Sequence, residues 1–403
     1  MVAADVAELN NSLLKTVVSY TPIYGSRIDV SQAMEQAFRK YPRHEFVEHF
    51  RLVSEMWDGP TRSRDDHGAL PLIYSNQPLM YVGNKGESFQ ASSSEPAFIM
   101  HLLAALDVQP GHRVLEIGCG TGWLLAMMAE LSQEPRNVTG IEIIPELVKR
   151  AQVNLEKLGL GEVAVKLGDG NVLPTDIGSF DRVMYTASSF TFPTYLFDIC
   201  QIGGKVVIPL RNRGLAEEVQ ILERTEQGFQ ATAARLCKFV QMTQRFGNDP
   251  SGITPSNEAL RHNYKHADRE PLDIPGGPPG TLAFSSFMSK TRPDFLVIGL
   301  NDPKIPSGFN AGVFGDPQAI GVAILANDWT AGAIWNRGFL RSFGGGDYRN
   351  KFIEGLSEWI SCGQPLGAQL RLAISKNLTD SDGDNRGKTW REVRGDSVFT
   401  WSL

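Results

Sequence analysis

Val114-Leu115-Glu116-Ile117-Gly118-Cys119-Gly120-Thr121-Gly122 decides how this chain is read. Arg113–Ile117 is apolar enough for a buried strand, and Trp123–Leu131 has the character of a helix. Between them lie three glycines at alternate positions. Glycine permits a tight turn and lets the backbone approach a ligand closely. The helix that follows turns its free N–H groups toward the polar end of that ligand. Strand, glycine turn and helix in this order form a nucleotide-cofactor geometry, with Glu116, Gly118, Cys119, Gly120 and Gly122 as candidate contacts.

Working downstream, strands and helices alternate. Val138–Glu142 reads as a strand, Pro145–Leu158 as a helix and Val163–Leu167 as a strand. Phe180–Thr186 is the next strand, then comes a short helix near Tyr195–Cys200 and a strand at Lys205–Leu210. This alternation predicts an α/β fold, a doubly wound and mostly parallel sheet covered on both faces. Val219–Arg224 and Phe229–Cys237 flank a turn at Glu226-Gln227-Gly228 and add an antiparallel C-terminal edge. In such sheets ligands sit beyond the carboxyl ends of the strands. Glu142 ends the second strand, where an acid can accept from both ribose hydroxyls. Asp169, between Gly168 and Gly170 after the third strand, can accept from an adenine amino group.

Upstream, residues 5–108 read as mainly helical with irregular stretches. Val30–Tyr41 has helical spacing, and Ser94 is placed to cap a helix running from Pro96 to about Leu106. Beyond residue 246 the composition shifts. Residues 247–280 are rich in proline and glycine and read as a linker or wrapping loop. Phe295–Leu300 and Ile320–Leu325 read as strands, Tyr348–Ser361 as an amphipathic helix and Gln369–Ile374 as a last strand. Asn377–Lys388 reads as a loop. Trp329 and Trp335 are candidates for packing the C-terminal core. A chain of 403 residues exceeds one ordinary core. The division expected is 1–246 for the cofactor domain, 247–280 for the linker and 281–403 for an additional α+β domain.

The formal net charge of -6 disfavours a general nucleic-acid binder, whose surface would be basic. Cys119, Cys200, Cys237 and Cys362 form no CxxC pair, and the histidines lack ligand spacing, so no metal site is expected. The N-terminal residues have neither the basic start nor the apolar run of a signal peptide. No apolar stretch reaches the length of about 20 residues that spans a bilayer. The expectation is a cytoplasmic protein with reduced thiols, without nucleic-acid or membrane partners, its oligomeric state open.

In dinucleotide enzymes the third glycine comes one residue later. The spacing here, with Glu116 on the strand before it, resembles class I methyltransferases, which implies S-adenosyl-L-methionine as cofactor. The flanking residues narrow the resemblance. Pro42-Arg43-His44-Glu45-Phe46-Val47 and Ala91-Ser92-Ser93-Ser94-Glu95-Pro96 are similar to the Pro-Arg-x-x-Phe-Val and Thr-Ile-Ser-x-Pro elements of the protein-L-isoaspartate O-methyltransferase family. Phe180-Asp181, Ala187, Pro193, Gly203-Gly204 and Phe239-Val240 extend the match over about residues 12 to 246. The resemblance implies that Ser94 is the active-site serine and that Ala91, Ser92 and Ser93 line cofactor and substrate. It implies cofactor contacts at Cys119, Glu142, Ile143, Asp169 and Gly170, with Thr243 near the cofactor. The chain departs from the family on the substrate side. Its Val-Pro-Leu element reads Val240-Gln241-Met242, Ile99 and Trp123 replace other residues, and Trp57–Asn84 matches less well. Gln241 and Met242 therefore join Ser93 and Ser94 as candidate substrate contacts.

The residues after 280 resemble an extension on family homologues that act on ribosomally made, modified peptides such as lanthipeptides, lasso peptides and graspetides. The resemblance rests on Leu356-Ser357-Glu358-Trp359-Ile360, a Gly-Gln-Pro turn, Leu370-Arg371-Leu372-Ala373-Ile374 and Trp390. It implies methylation of an aspartate in a constrained precursor peptide, with the ester collapsing to succinimide (aspartimide) and isoaspartate. The alternative is repair of isoaspartyl damage in proteins. A third reading, a degenerate fold that only binds, is disfavoured by the intact glycine loop, Glu142 and Asp169. A carboxylate acceptor, with a pKa of about 3.9, is ionised at neutral pH and needs no general base. Positioning and exclusion of water would supply catalysis. Ser94 can orient that carboxylate, cap the helix, or both. Arg43 is expected to anchor its loop by an ion pair rather than to bind substrate.

Overall fold

The alternation expected from residue 113 onward is present element by element. The computed structural model describes residues 3–21, 29–55, 59–83, 86, 88–173, 177–214, 217–242, 253–300, 320–376 and 388–403. The chain forms two units, one of residues 1–188, 193–209 and 219–245, the other of residues 189–192, 210–218 and 246–403.

The first unit opens with α1 (Ala3–Ser19) and α2 (Gln32–Lys40). Ser31 caps α2 by accepting from the Met34 N–H at 3.3 Å, and Glu35 pairs with Arg39 one turn on. The next stretch differs from the mainly helical expectation. It holds β1 (His49–Leu52), β2 (Arg62–Ser63), the short α3 (Ala69–Ile73), β3 (Leu79–Val82) and β4 (Ser88–Ser93). Its strands form a four-stranded sheet in the order β2-β1-β3-β4. They are short, and β3 is buried at every position, so no period-two alternation marks it in the sequence. Then come α4 (Pro96–Leu106), β5 (Val114–Ile117), α5 (Trp123–Ser132), β6 (Val138–Glu142), α6 (Pro145–Lys157) and β7 (Ala164–Leu167). β8 (Phe180–Tyr185), α7 (Leu196–Ile199), β9 (Cys200–Arg211), β10 (Glu217–Thr225) and β11 (Gly228–Leu236) complete this run.

The strands lie in the order β11-β10-β9-β8-β5-β6-β7. β5 pairs in parallel with β6 and β8, β6 with β7, and β8 with β9. β10 and β11 are joined by only two residues, which restricts that pair to antiparallel. The order reverses at β5, between β6 and β8, and this switch point is where a doubly wound sheet opens a crevice.

The stretch 247–280, expected as a linker, is structured over its described residues 253–280. It contains β12 (Ile253–Pro255), α8 (Glu258–His266) and β13 (Asp268–Pro271), and it opens α9 (Gly277–Thr291). Several of its prolines and glycines are helix-start residues: Gly276 is left-handed at the N-cap of α9, with proline in the first turn. The rest of the second unit is β14 (Phe295–Gly299), β15 (Ile320–Leu325), β16 (Gly332–Asn336), β17 (Phe339–Phe343), α10 (Tyr348–Ser361), β18 (Arg371–Ser375), β19 (Thr389–Arg394) and β20 (Ser397–Ser402). Six strands form a sheet in the order β12-β14-β15-β16-β17-β13, and β20 pairs antiparallel with β18 and β19. This is the additional α+β architecture expected. The fully buried tryptophans of this unit are Trp359 and Trp401, whereas Trp329 and Trp335 are only half-buried. Most of Asn377–Lys388 lies outside the described residues. Among the described residues no helix is long and apolar enough to cross a membrane.

The second unit encloses an ion pair without solvent access. Lys290 Nζ donates to both oxygens of Glu218 at 2.8 Å and to the Gly367 carbonyl at 2.6 Å, and its ammonium lies 4.8 Å from the centre of the Trp401 ring. Burial pulls the lysine pKa down, and the charge of Glu218 resists that shift. Removing one partner of such a pair strands a buried charge at a cost of about 3–5 kcal/mol, whereas apolar replacement of both is often neutral. Lys290→Met is therefore expected to lower the denaturation midpoint strongly, and Glu218→Leu with Lys290→Met to recover most of the loss. A single variant as stable as the parent would contradict this account.

Candidate active site

Two adjoining cavities open at the carboxyl ends of β5, β6 and β8. The larger, about 230 Å³, is lined by Ala91 and Ser92, Gly118 and Gly120, Ile141–Ile144, Gly168–Gly170, Thr186, Ala187 and Val240–Met242. The smaller, about 30 Å³, is lined by Ser92–Ser94, Ile99, Glu116, Gly118–Gly120, Trp123, Leu124 and Thr186. Tyr81 belongs to both walls.

The glycine loop makes this crevice possible. Gly118 and Gly120 take φ of +87° and +54°, where side chains are disfavoured. A Cβ on Gly118 would fall 2.9 Å from Thr186 Oγ1. Gly122 lines neither cavity. It is the left-handed N-cap of α5 at φ +91°, next to Ala151 and Leu155 of α6. Thr243 lies outside the described residues.

Glu142 closes β6, and its carboxylate accepts from Gly120 N–H at 2.9 Å, Ile143 N–H at 2.9 Å and Ile144 N–H at 3.0 Å. Burial raises its pKa, and these three donors hold the rise in check. Glu116 is 1% exposed, and its Oε2 has no hydrogen-bond partner among the described residues. Burial, and after it the charge of Glu142, push the Glu116 carboxyl well above the usual range. Burial likewise raises the Cys119 thiol, which keeps it neutral. Asp169 Oδ1 accepts from the backbone and side-chain N–H of Asn171, both at 2.9 Å, forming a closed turn. Ile143 is 42% exposed, an apolar wall open to a ligand.

Ser94 is not the helix cap expected from the sequence. The N-cap of α4 is Glu95, and Asn76 supplies the capping oxygen, accepting from Ala97 N–H at 2.8 Å while its amide donates to Glu95 Oε1 at 2.8 Å. The Ser94 hydroxyl has no hydrogen-bond partner among the described residues and lies on the wall of the smaller cavity. Ser93, by contrast, is committed: its Oγ accepts from Arg43 Nε at 3.0 Å. Arg43 is an anchor, as expected, but through carbonyls rather than an ion pair. It is fully buried and donates to the carbonyls of Ile73, Ser75, Gln77, Ser93 and Ser94 at 2.9–3.3 Å.

Gln241 and Met242, expected as substrate contacts, line the larger cavity. A short bridge ties this segment to Ser188: Ser188 N–H donates to Val240 O at 2.8 Å and Met242 N–H to Ser188 O at 2.9 Å. That places both residues on the larger cavity with Asp169, away from Ser93 and Ser94. Sequence reasoning missed Tyr81 and Thr186. Tyr81 accepts from Thr121 Oγ1 at 3.0 Å and sits in the stretch that matched the family least. Thr186 follows the carboxyl end of β8, and that position was the available signal.

A family described as "Protein-L-isoaspartate(D-aspartate) O-methyltransferase (PCMT)" matches residues 67–247. A protein-L-isoaspartate O-methyltransferase of Gloeobacter violaceus is 31% identical over 214 residues, 53% of this chain and 91% of that protein. One from Methanopyrus kandleri is 34% identical over 199 residues, 49% of this chain and 77% of that protein. The chain belongs to the protein-L-isoaspartate O-methyltransferase family. A solved structure titled protein-L-isoaspartate O-methyltransferase aligns with 91% of this chain and 95% of its own, at a TM-score of 0.49 and 18% identity. As a member of this family, the chain is a carboxyl O-methyltransferase that uses S-adenosyl-L-methionine. The residues fit that donor: one oxygen of the buried Glu116 carboxyl has no partner among the described residues, and the donor's cationic end would supply one.

A carboxyl whose pKa is raised by folding weakens the fold as pH climbs above the unfolded value of about 4.3, until the folded group also ionises. Glu116→Gln removes that liability. In the donor-free protein its melting midpoint should exceed the parent's by more at pH 8 than at pH 4, each kcal/mol appearing as about 2–4 °C. A difference that does not change with pH would show that Glu116 is not held protonated by its burial.

Proposed function

We propose that the enzyme esterifies an isoaspartyl carboxylate of a protein or peptide. The observation that carries this reading is the Ser94 hydroxyl, which has no hydrogen-bond partner among the described residues and lies on the cavity wall that Glu116 and the glycine loop also line. The relatives' names support the isoaspartyl acceptor over the unmodified aspartate expected from the sequence. In this reading the larger cavity receives the donor's adenosine, with Glu142 accepting from ribose hydroxyls and Asp169 from the adenine amino group. Gly118, Gly120, Ala91, Ser92, Ile143 and Gly170 shape it, Glu116 faces the cationic end, and Gln241 and Met242 close the side opposite the serines.

S-adenosyl-L-methionine supplies an electrophilic methyl group. The acceptor carboxylate is already ionised at neutral pH, so no side chain need act as base. Ser94 donates to one carboxylate oxygen and leaves the other free to attack. Ile99 and Trp123 exclude water from the smaller cavity, where a carboxylate stripped of its hydration shell is more reactive. In the methyl ester, the backbone nitrogen of the following residue attacks the ester carbonyl and expels methanol, giving a succinimide. Water then opens the ring to aspartate or isoaspartate.

A second reading is favoured by one observation: residues 248–403 lie beyond the family match and form most of a separate unit. That unit would bind a constrained, ribosomally made peptide, and the acceptor would be a true aspartate. Mass spectrometry of a linear isoaspartyl peptide and a cyclised aspartyl peptide, each incubated with enzyme and donor, separates the two. Methylation of the linear isoaspartyl peptide is expected, and methylation of the cyclised aspartyl peptide alone would replace the first reading with the second.

A hydrogen bond to a charged group contributes about 1.5–3 kcal/mol, so Ser94→Ala should lower kcat by about tenfold or more. Donor affinity in calorimetry should stay within about twofold of the parent, since this bond is made to the acceptor. Equal loss in both quantities, or in neither, would rule out Ser94 as the residue that orients the acceptor.

A further inference from the structure

Behind the wall of the larger cavity two tyrosines form a directional hydrogen-bond chain. Tyr195 Oη donates to the Gly170 carbonyl at 2.6 Å. Tyr185 and Tyr195 are joined hydroxyl to hydroxyl. Each hydroxyl carries one proton and a carbonyl can only accept, so Tyr185 donates to Tyr195 and Tyr195 donates to Gly170. Tyr185 is fully buried at the end of β8, which fixes the head of the chain on the central sheet. Burial, and after it the neighbouring Tyr195, push the Tyr185 hydroxyl well up, so it stays a donor.

The segment this chain holds is the turn that carries Asp169. The turn is pinned on its near side by Gly168 N–H donating to Glu142 O at 3.0 Å. On its far side, Gly170 is pressed against the sheet, where a Cβ would fall 2.3 Å from Ile117 Cγ2 and 3.1 Å from Met242 Cε. Its carbonyl is held from behind by Tyr195. Inside the turn Asp169 spends one oxygen on Asn171. The direction of its other oxygen is then set by the two pins.

We infer that Tyr195, backed by Tyr185, is a positioning residue for donor recognition: it holds Gly170 so that the Asp169 carboxylate meets the amino group of the donor's adenine. This rests on the reading that the larger cavity takes the adenosine end. Losing the hydroxyl frees one side of the turn without touching the cavity surface. Affinity for adenosyl ligands should fall, together with the ability to tell an amino group from a carbonyl at the purine 6-position.

The experiment measures binding of S-adenosylhomocysteine and S-inosylhomocysteine to the full chain by calorimetry, for the parent, Tyr195→Phe, Tyr185→Phe and Asp169→Asn. Tyr195→Phe should weaken the adenosyl ligand roughly three- to tenfold, as expected for loss of one buried hydrogen bond, and shrink the adenosyl preference over the inosyl ligand. Its kcat at saturating donor should stay within about twofold, with KM for the donor rising instead. Tyr185→Phe should shift the same quantities less, and it carries the test if Tyr195→Phe fails to fold. If Asp169→Asn loses the preference and both tyrosine variants keep it, the positioning role is overturned while the cavity assignment stands. If Asp169→Asn also keeps it, the cavity assignment is what fails.

Discussion

A guanidinium without access to water holds the Ser93–Ser94 wall of the smaller cavity. Burying an arginine costs several kcal/mol unless its donors are all satisfied. Arg43 meets that condition with carbonyls drawn from residues 73–77 and 93–94, together with the Ser93 hydroxyl. Burial pulls its pKa down to about 10, which leaves it charged at neutral pH. Trp123 lies beside it, the guanidinium carbon 5.5 Å from the ring centre, and the indole N–H donates to Tyr41 O at 3.0 Å. The result is a clamp between the 3-10 turn Arg43–Phe46, the turn after α3 and the end of β4. A planar donor with five N–H groups can do this, whereas a lysine has too few donors and the wrong geometry. Arg43 takes the Ser93 hydroxyl and the Ser94 carbonyl, and the Ser94 hydroxyl, on the same cavity wall, has no hydrogen-bond partner among the described residues.

Around Glu116 and Glu142 the opposite principle holds. There the polar groups are not all satisfied, and the fold bears the cost. Two carboxyls, Glu116 and Glu142, lie in one buried region, and both their burial and their proximity make Glu116 hard to ionise. Glu142 is eased by three backbone N–H groups, while one oxygen of Glu116 has no partner among the described residues. A buried carboxyl that is hard to ionise gives up its proton more readily when a cation is brought beside it. The guanidinium of Arg43 is saturated by its neighbours, whereas among the described residues the Glu116 carboxyl is not.

This division also explains what the sequence could and could not announce. The parallel sheet was legible because its strands are short apolar runs separated by helices of clear period, and its glycine loop carries positive φ that only certain residues tolerate. Glu142 and Asp169 were legible for the same reason, since both sit at strand ends where a doubly wound sheet places ligands. The cap of α4 was not legible: Ser94 has the right residue type and spacing, but Asn76, nineteen positions before Glu95, takes the role. Local rules cannot see a cap that arrives through tertiary structure. The stretch 247–280 misled in another way, because proline and glycine at a helix start have the same composition as a linker. The β16–β17 hairpin did leave a trace, for Arg337-Gly338 takes positive φ at both turn positions, as a tight two-residue turn demands.

The second unit constrains how far the enzyme can be treated as a family core with an appendage. It includes residues 189–192 and 210–218, which fall inside the stretch matched by the family. Glu218, from that inner stretch, is the acidic partner of buried Lys290 of the late sequence. Arg394, near the end of the chain, donates to the Arg211 carbonyl at 3.0 Å and to Asn212 Oδ1 at 3.2 Å. A buried charge separated from its partner is costly in either piece of a divided chain. The later residues are therefore part of what the earlier ones need in order to be stable. In sequence, Ser189–Phe192 follows Thr186 and Ala187 of the larger cavity wall after one intervening residue. One run of the chain thus contributes residues to the larger cavity wall and, a few positions on, to the second unit.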